Sequence, residues 1–235
     1  MALPKITHPV FKIKIPSTKK VLNFRPYTVK EEKLLLIMNS SEDTDEIIDT
    51  LKQIINNCCV ESIDTDKLAM FDIEYIFIKL RSKSVSEELE LNYSLNGERY
   101  KFFVNLEEVE VKINPAHTNK LILHNDIGVV MKYPSFHSII RLEKEYSEPS
   151  KDVELVIFDM FIDSIESVFD NTKVYKDFTR DELEEFVLSL PKKSMDKVKE
   201  FFDTIPVLEH KVKIKLKDGT DHEIVMSGLK DFFIF

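Results

Sequence analysis

The chain of 235 residues carries 33 lysines and arginines against 42 aspartates and glutamates, a formal net charge of −9, with 43% apolar residues. That apolar share can bury one moderate core or two small ones, whereas the acidic balance argues against wholesale binding of a phosphate backbone, which needs a basic stripe to release counterions. Glycines stand only at 97, 128, 219 and 228 and the two cysteines are the neighbours Cys58 and Cys59, so the glycine-rich nucleotide-binding fingerprints are absent and a disulfide-stapled secreted fold is excluded.

Phe11, Ile13 and Ile15 alternate with Lys12 and Lys14, which predicts a strand over 10–15 ended by Pro16, with Val21–Phe24 as its partner. Pro26 holds Arg25 extended, and Thr28 with Glu31 forms a capping box that starts a helix at Val29 and carries it to about Asn39. Asp43 with Glu46 signals a second helix, with Ile47, Ile48, Leu51, Ile54 and Ile55 on its inner face. A third, from about Asp66 to Arg81, is apolar all round, the mark of a core helix or a permanent interface.

Between 87 and 133 the texture is β. Leu89–Tyr93 and Tyr100–Val104 flank Asn96-Gly97, a hairpin turn. Val109–Ile113 forms another strand, and Lys120–His124 and Ile127–Lys132 a second hairpin around Asn125-Asp126. The helical period returns from Ser135, with a stripe over 153–168 that includes Val153, Val156, Ile157, Met160, Phe161, Ile165 and Val168. Thr179 with Glu182 caps a helix that stops at Pro191, and Met195–Ile205 forms the next, the two predicted to fold as an antiparallel helical hairpin. The end reverts to a β hairpin, Val212–Leu216 and His222–Met226 about Asp218-Gly219, with an apolar tail at Leu229–Phe235 expected to dock.

The fold class is therefore α+β: an N-terminal strand and helices, central antiparallel hairpins, and a helical C-terminal part closed by a β hairpin. The expected regions are a mixed α/β part at 1–133, a helical part at 134–206 and the hairpin with its docked tail at 207–235. Lysines interrupt the first 25 residues and no apolar run reaches a membrane span, so neither a signal peptide nor a membrane partner is expected and the chain should stay in the cytosol.

The six histidines form no H-E-x-x-H motif, no G-x-S-x-G elbow occurs, and Asp64 and Asp66 lack the glycine and glutamate of a calcium loop. Neither a catalytic residue, a metal ligand nor a cofactor site is expected. Residues 1–30 hold seven basic residues and no acid, and residues 31–111 nineteen acids against eight bases. A basic arm of this kind serves interaction with a partner or lies across the acidic body of its own chain. On the same ground the basic strands 10–15 and 211–217 are expected near the acidic strands 87–93 or 107–113.

Several segments together resemble the baseplate hub protein family of T4-type contractile-tailed bacteriophages. They are Ile15-Pro16-Ser17-Thr18-Lys19-Lys20, Phe24 through Lys33, Lys52 through Cys58, Phe71-Asp72-Ile73-Glu74-Tyr75, Leu80 through Val85, and the closing Ser227 through Phe233. The likeness is thinner through the β region, at Asp126-Ile127-Gly128-Val129 and Lys132-Tyr133-Pro134. Where relatives are expected to carry cysteine pairs suited to zinc, Asn96-Gly97 and Asp218-Gly219 stand here, so folding without metal is expected.

The resemblance implies a non-enzymatic component or assembly factor of the hub. Its partners would be other tail and baseplate hub proteins and the tape-measure protein, met in the host cytoplasm during assembly or kept in the virion tail. Arg25, Tyr27, Glu31 and Glu32 from the densest motif, with Phe161, Phe232 and Phe233 from the apolar stretches, are the candidate partner-binding residues. The Arg25 motif serves equally to join strand to helix, with its guanidinium on a carboxylate of the fold or of a partner. The competing enzyme class is a tail-associated peptidoglycan hydrolase, for which the absence of tryptophan and the scarcity of glycine leave little sugar-binding material.

Overall fold

The alternating lysines and apolar residues at the start form β1 (Phe11–Lys14), antiparallel to β2 (Val21–Phe24), with Ile13 and Phe24 turned into the core. The computed structural model describes residues 4, 6–38, 44–135, 138–139 and 153–232. The chain divides into two units, Met1–Lys112 with Val207–Phe235, and Ile113–Pro206. Among the described residues are six α-helices and eleven strands, and every ladder is antiparallel. The fold is α+β, as expected.

In the first unit α1 (Val29–Met38) begins where the Thr28–Glu31 box places it, and α2 (Thr44–Cys58) buries Ile48, Leu51, Ile54 and Ile55. The capping residue expected for α2, Asp43, lies outside the described residues. α3 runs over Met70–Ser84, later than the expected Asp66 start, because Thr65–Lys67 turns as a separate 3-10 helix and Leu68 and Ala69 stay extended. Ile73, Ile76, Phe77, Ile78 and Leu80 of α3 are all at most 1% exposed, so this helix is the axis of the core. Around it lie the hairpin β3 (Glu88–Leu95) with β4 (Glu98–Asn105), turned at Asn96 (φ 53°) and Gly97 (φ 81°), and a three-stranded sheet.

That sheet joins β5 (Glu110–Lys112) to β10 (Val207–Lys215), and β10 to β11 (Asp221–Ser227). Lys112 and Val207 are register partners. The whole second unit is thus inserted between two residues paired across one ladder, an arrangement that leaves the parent sheet intact. The charge expectation is met only in part: the start of β10 pairs with β5, yet Glu209 faces Glu110 there, and β1 shares its sheet with β2 alone. Unlike pairs sit within the hairpins, Lys213 opposite Glu223, Lys215 opposite Asp221 and Lys101 on Glu90 at 2.7 Å, and one links the two hairpins, Lys217 reaching Glu98 of β4 at 2.7 Å.

The second unit is a four-stranded sheet, β6 (Lys120–His124), β7 (Ile127–Met131), β8 (Ile165–Phe169) and β9 (Val174–Tyr175), with three helices: α4 (Val153–Ser164), α5 (Arg180–Leu188) and α6 (Ser194–Asp203). The expected four-turn helical stripe over 153–168 is corrected here: the helix ends at Ser164 and Ile165, Ser167 and Phe169 alternate inward in a strand beside β7. The two short helices also do not chiefly face each other; α5 packs on α4, where Arg180 binds Asp159 at 3.1 Å and Asp163, while α6 packs on β6, where Ser194 Oγ donates to the Leu123 carbonyl at 2.9 Å.

Candidate partner-binding surface

α3 carries Asp72, Glu74, Lys79 and Ser82 into the core of the first unit, where an unmet polar group costs about 1–3 kcal/mol. Each of the four is met by a segment distant in sequence. Asp72 accepts the backbone N–H of Ser17 at 2.9 Å, the Ser17 hydroxyl at 2.5 Å and the N–H of Ala69 at 3.2 Å. Burial nevertheless keeps its pKa above the usual aspartate range. Glu74 accepts the N–H of Leu229 at 3.2 Å, too little to offset its burial, which pushes its pKa up to about 7. Lys79 donates to the carbonyls of Leu106 at 3.1 Å and Glu107 at 2.7 Å, the Ser82 hydroxyl donates to the Glu107 carboxylate, and the Ser84 hydroxyl accepts the N–H of Tyr27 at 2.9 Å.

A second polar cluster is built on the chain entering α1. Glu31 is fully buried, and its carboxylate accepts the Thr28 N–H at 2.9 Å, the Thr28 hydroxyl at 2.8 Å and the two Arg25 guanidinium nitrogens at 3.2 and 3.0 Å. Burial raises the pKa of this carboxyl, but the fork from Arg25 and the Thr28 bonds outweigh it and hold the group at about 2. Arg25 in turn is raised, first by its bond to Glu31, and its backbone N–H is given to the Cys58 carbonyl at 2.9 Å. The bidentate contact that the sequence left open is therefore made inside the fold.

On this braced segment an open groove is lined by Ile6, His8, Tyr27, Thr28, Val29, Lys30, Glu32, Ser84 and Val85. Ile6 is 79% exposed, Val29 80% and Val85 58%. Their positions explain the exposure: Val29 opens α1 and Val85 caps the end of α3, where an apolar side chain has no inner face to join. Tyr27 is half-buried along the groove, and burial raises its phenol pKa.

Of the residues singled out from the sequence, Tyr27 and Glu32 line the groove and Arg25 and Glu31 brace it. Phe161 is 0% exposed in the core of the second unit and Phe232 1% exposed in the core of the first, so neither side chain offers surface. Phe233 lies outside the described residues. Sequence reading missed Ile6, His8, Val29 and Val85; the available signal was an apolar residue at a helix start and another just past a helix end. Among the described residues no three His, Cys, Asp or Glu side chains gather as a metal site, and no helix is long and apolar enough to cross a membrane.

The sequence model of the T4 bacteriophage base plate protein family matches residues 8–234, and the chain belongs to that family. It is a baseplate protein of the phage tail, a structural class of molecule. Neither curated protein sequences nor solved structures gave a match.

Proposed function

We propose that the chain is a non-enzymatic component or assembly factor of the baseplate hub that binds other hub proteins and the tape-measure protein, first meeting them in the host cytoplasm during assembly. The observation that carries this reading is the groove: Ile6, Val29 and Val85 hold apolar surface out of the core on a segment made rigid by the Arg25–Glu31 fork and the Tyr27–Ser84 bond. Exposed apolar patches framed by polar groups mark partner sites, and a rigid frame lowers the ordering cost of binding. The occupant is an apolar side-chain cluster of another tail protein, seated between Tyr27 and Val85 with polar contacts to Lys30 and Glu32.

Tails and assembly intermediates purified from infected cells test this with Val29→Asp and Val85→Asp. Both side chains are exposed, so the folded state should survive, and loss of hub or tape-measure proteins from the co-purified set is the expected result. Retention of every partner by both variants would overturn the groove as the binding surface. Release of muropeptides from cell walls by the purified protein would favour the peptidoglycan hydrolase reading instead.

A further inference from the structure

The outward face of the β1–β2 hairpin carries Lys12 and Lys14, which stand opposite Asn23 and Val21 in the ladder, and Lys20 follows at the turn. All three lysines are exposed and none makes an ion pair among the described residues. Val21 is 54% exposed beside them. Glu61, the carboxylate that adjoins this face, is taken up by the backbone N–H and side-chain amide of Asn23. A patch of positive charge without an ion pair among the described residues thus sits on a chain whose net charge is −9.

The second unit holds the complementary surface. α5 turns Leu183 and Val187 into its core, which leaves Asp181, Glu184, Glu185 and Leu188 on the opposite side at spacings of three, four and seven residues, the period of one helix face. The three carboxylates are exposed and Leu188 is 68% exposed. Among the described residues Asp181 and Glu185 make no ion pair, and Arg180, the cation next to Glu184, is bound to Asp159 and Asp163. The pitch matches as well: successive outward residues of a strand lie about 6.6 Å apart, and residues four apart on a helix about 6 Å.

We propose that the protein self-associates head to tail, the Lys12–Lys14–Lys20 face of one copy seating on the Asp181–Glu184–Glu185 stripe of α5 in the next, with Val21 and Leu188 meeting at the centre. The argument is charge complementarity between two exposed surfaces, one basic and one acidic. Because the two patches differ, the contact is heterologous and each copy keeps one patch free for the next.

Sedimentation of the full chain tests this across a concentration series at two ionic strengths, about 0.1 M and 1 M, between which the screening length falls from about 10 Å to about 3 Å. The expected result is concentration-dependent association that weakens at least about tenfold in the higher salt. A triple variant Lys12→Glu, Lys14→Glu, Lys20→Glu should be monomeric, as should Asp181→Lys, Glu184→Lys, Glu185→Lys, and an equimolar mixture of the two should associate again because each supplies what the other lost. If a reversal variant fails to fold by circular dichroism, the corresponding glutamine substitutions replace it, each of which should be monomeric. A wild type that stays monomeric at the lower salt, association that survives in either folded variant, or a mixture of the two reversal variants that remains monomeric would overturn the proposal.

Discussion

In the first unit α3 takes Asp72, Glu74, Lys79 and Ser82 into the core and matches each to a partner far along the chain, whereas the polar side chains buried among the described residues of the second unit are the hydroxyls of Ser164, Ser167 and Ser194. The consequence is a difference in how sequence is tied to structure. A buried carboxylate or ammonium needs a particular donor or acceptor at a particular place, while an apolar core needs only pattern and volume. Ser17 and Leu229, which meet Asp72 and Glu74, lie in the Leu3–Val85 and Ser227–Phe233 stretches where the resemblance to the baseplate family is most specific, while Leu106 and Glu107, which meet Lys79 and Ser82, lie outside them.

The comparison breaks first at Asp72. Asp72→Ala leaves the Ser17 N–H and hydroxyl and the Ala69 N–H without an acceptor, and should destabilise the first unit by about 3–5 kcal/mol in urea unfolding. The matching break in the second unit is Gly128→Ala, whose new Cβ would run into the Leu121 carbonyl and the Phe169 ring across the β6–β7–β8 sheet. It should cost about 3 kcal/mol, and hydrogen exchange should place the loosened amides in 113–206 and leave α3 protected.

Two carboxylates of the first unit sharpen the contrast through pH. Glu31 is held at about 2 against an ordinary 4.5, so its contribution, roughly 3 kcal/mol by linkage, is present above pH 4.5 and lost as pH falls through 2. Glu31→Gln should therefore be less stable than wild type at neutral pH and converge with it in strong acid. Glu74 runs the other way: with a folded value of about 7 against 4.5, its contribution is full below 4.5 and lost as pH rises through 7. Glu74→Gln, which keeps an acceptor for Leu229, should gain on wild type between pH 5 and 8 by up to roughly 3 kcal/mol in the same urea series.

The smallest expected effect is again in the second unit. Among the described residues the buried Ser164 hydroxyl has no hydrogen-bond partner, so Ser164→Ala should be neutral or stabilising by up to about 1 kcal/mol. A loss of stability there would mean that the second unit also depends on a specific polar contact.

Local features of the fold were legible because their causes lie within a few residues. The Thr28–Glu31 and Thr179–Glu182 boxes start α1 and α5 where expected, Asn96-Gly97 turns the β3–β4 hairpin, and Pro16 follows β1. Residues 165–169 were misread because Ile165 and Val168 also fit the period of the preceding helix; five residues cannot separate a period of 3.6 from a period of 2, and the free edge of β7 decided for strand. At the candidate site Arg25, Tyr27, Glu31 and Glu32 were recognised as one motif, yet nothing in their spacing says which of them face outward. Phe161 and Phe232 were chosen for excess apolar character, and the cores had room for both.

What the chain determined by itself, then, is its class and its local elements: alternation, capping residues and turn residues act through contacts of two to four positions and leave little choice of conformation. Tertiary structure alone decided that Ser17 meets Asp72 across 55 residues, that Glu74 meets Leu229 across 155, and that the second unit enters and leaves through Lys112 and Val207 of one ladder. Such pairings are set by which buried groups need partners and which sheet edges are open once the loops have closed. Neither quantity is written in any single stretch of sequence.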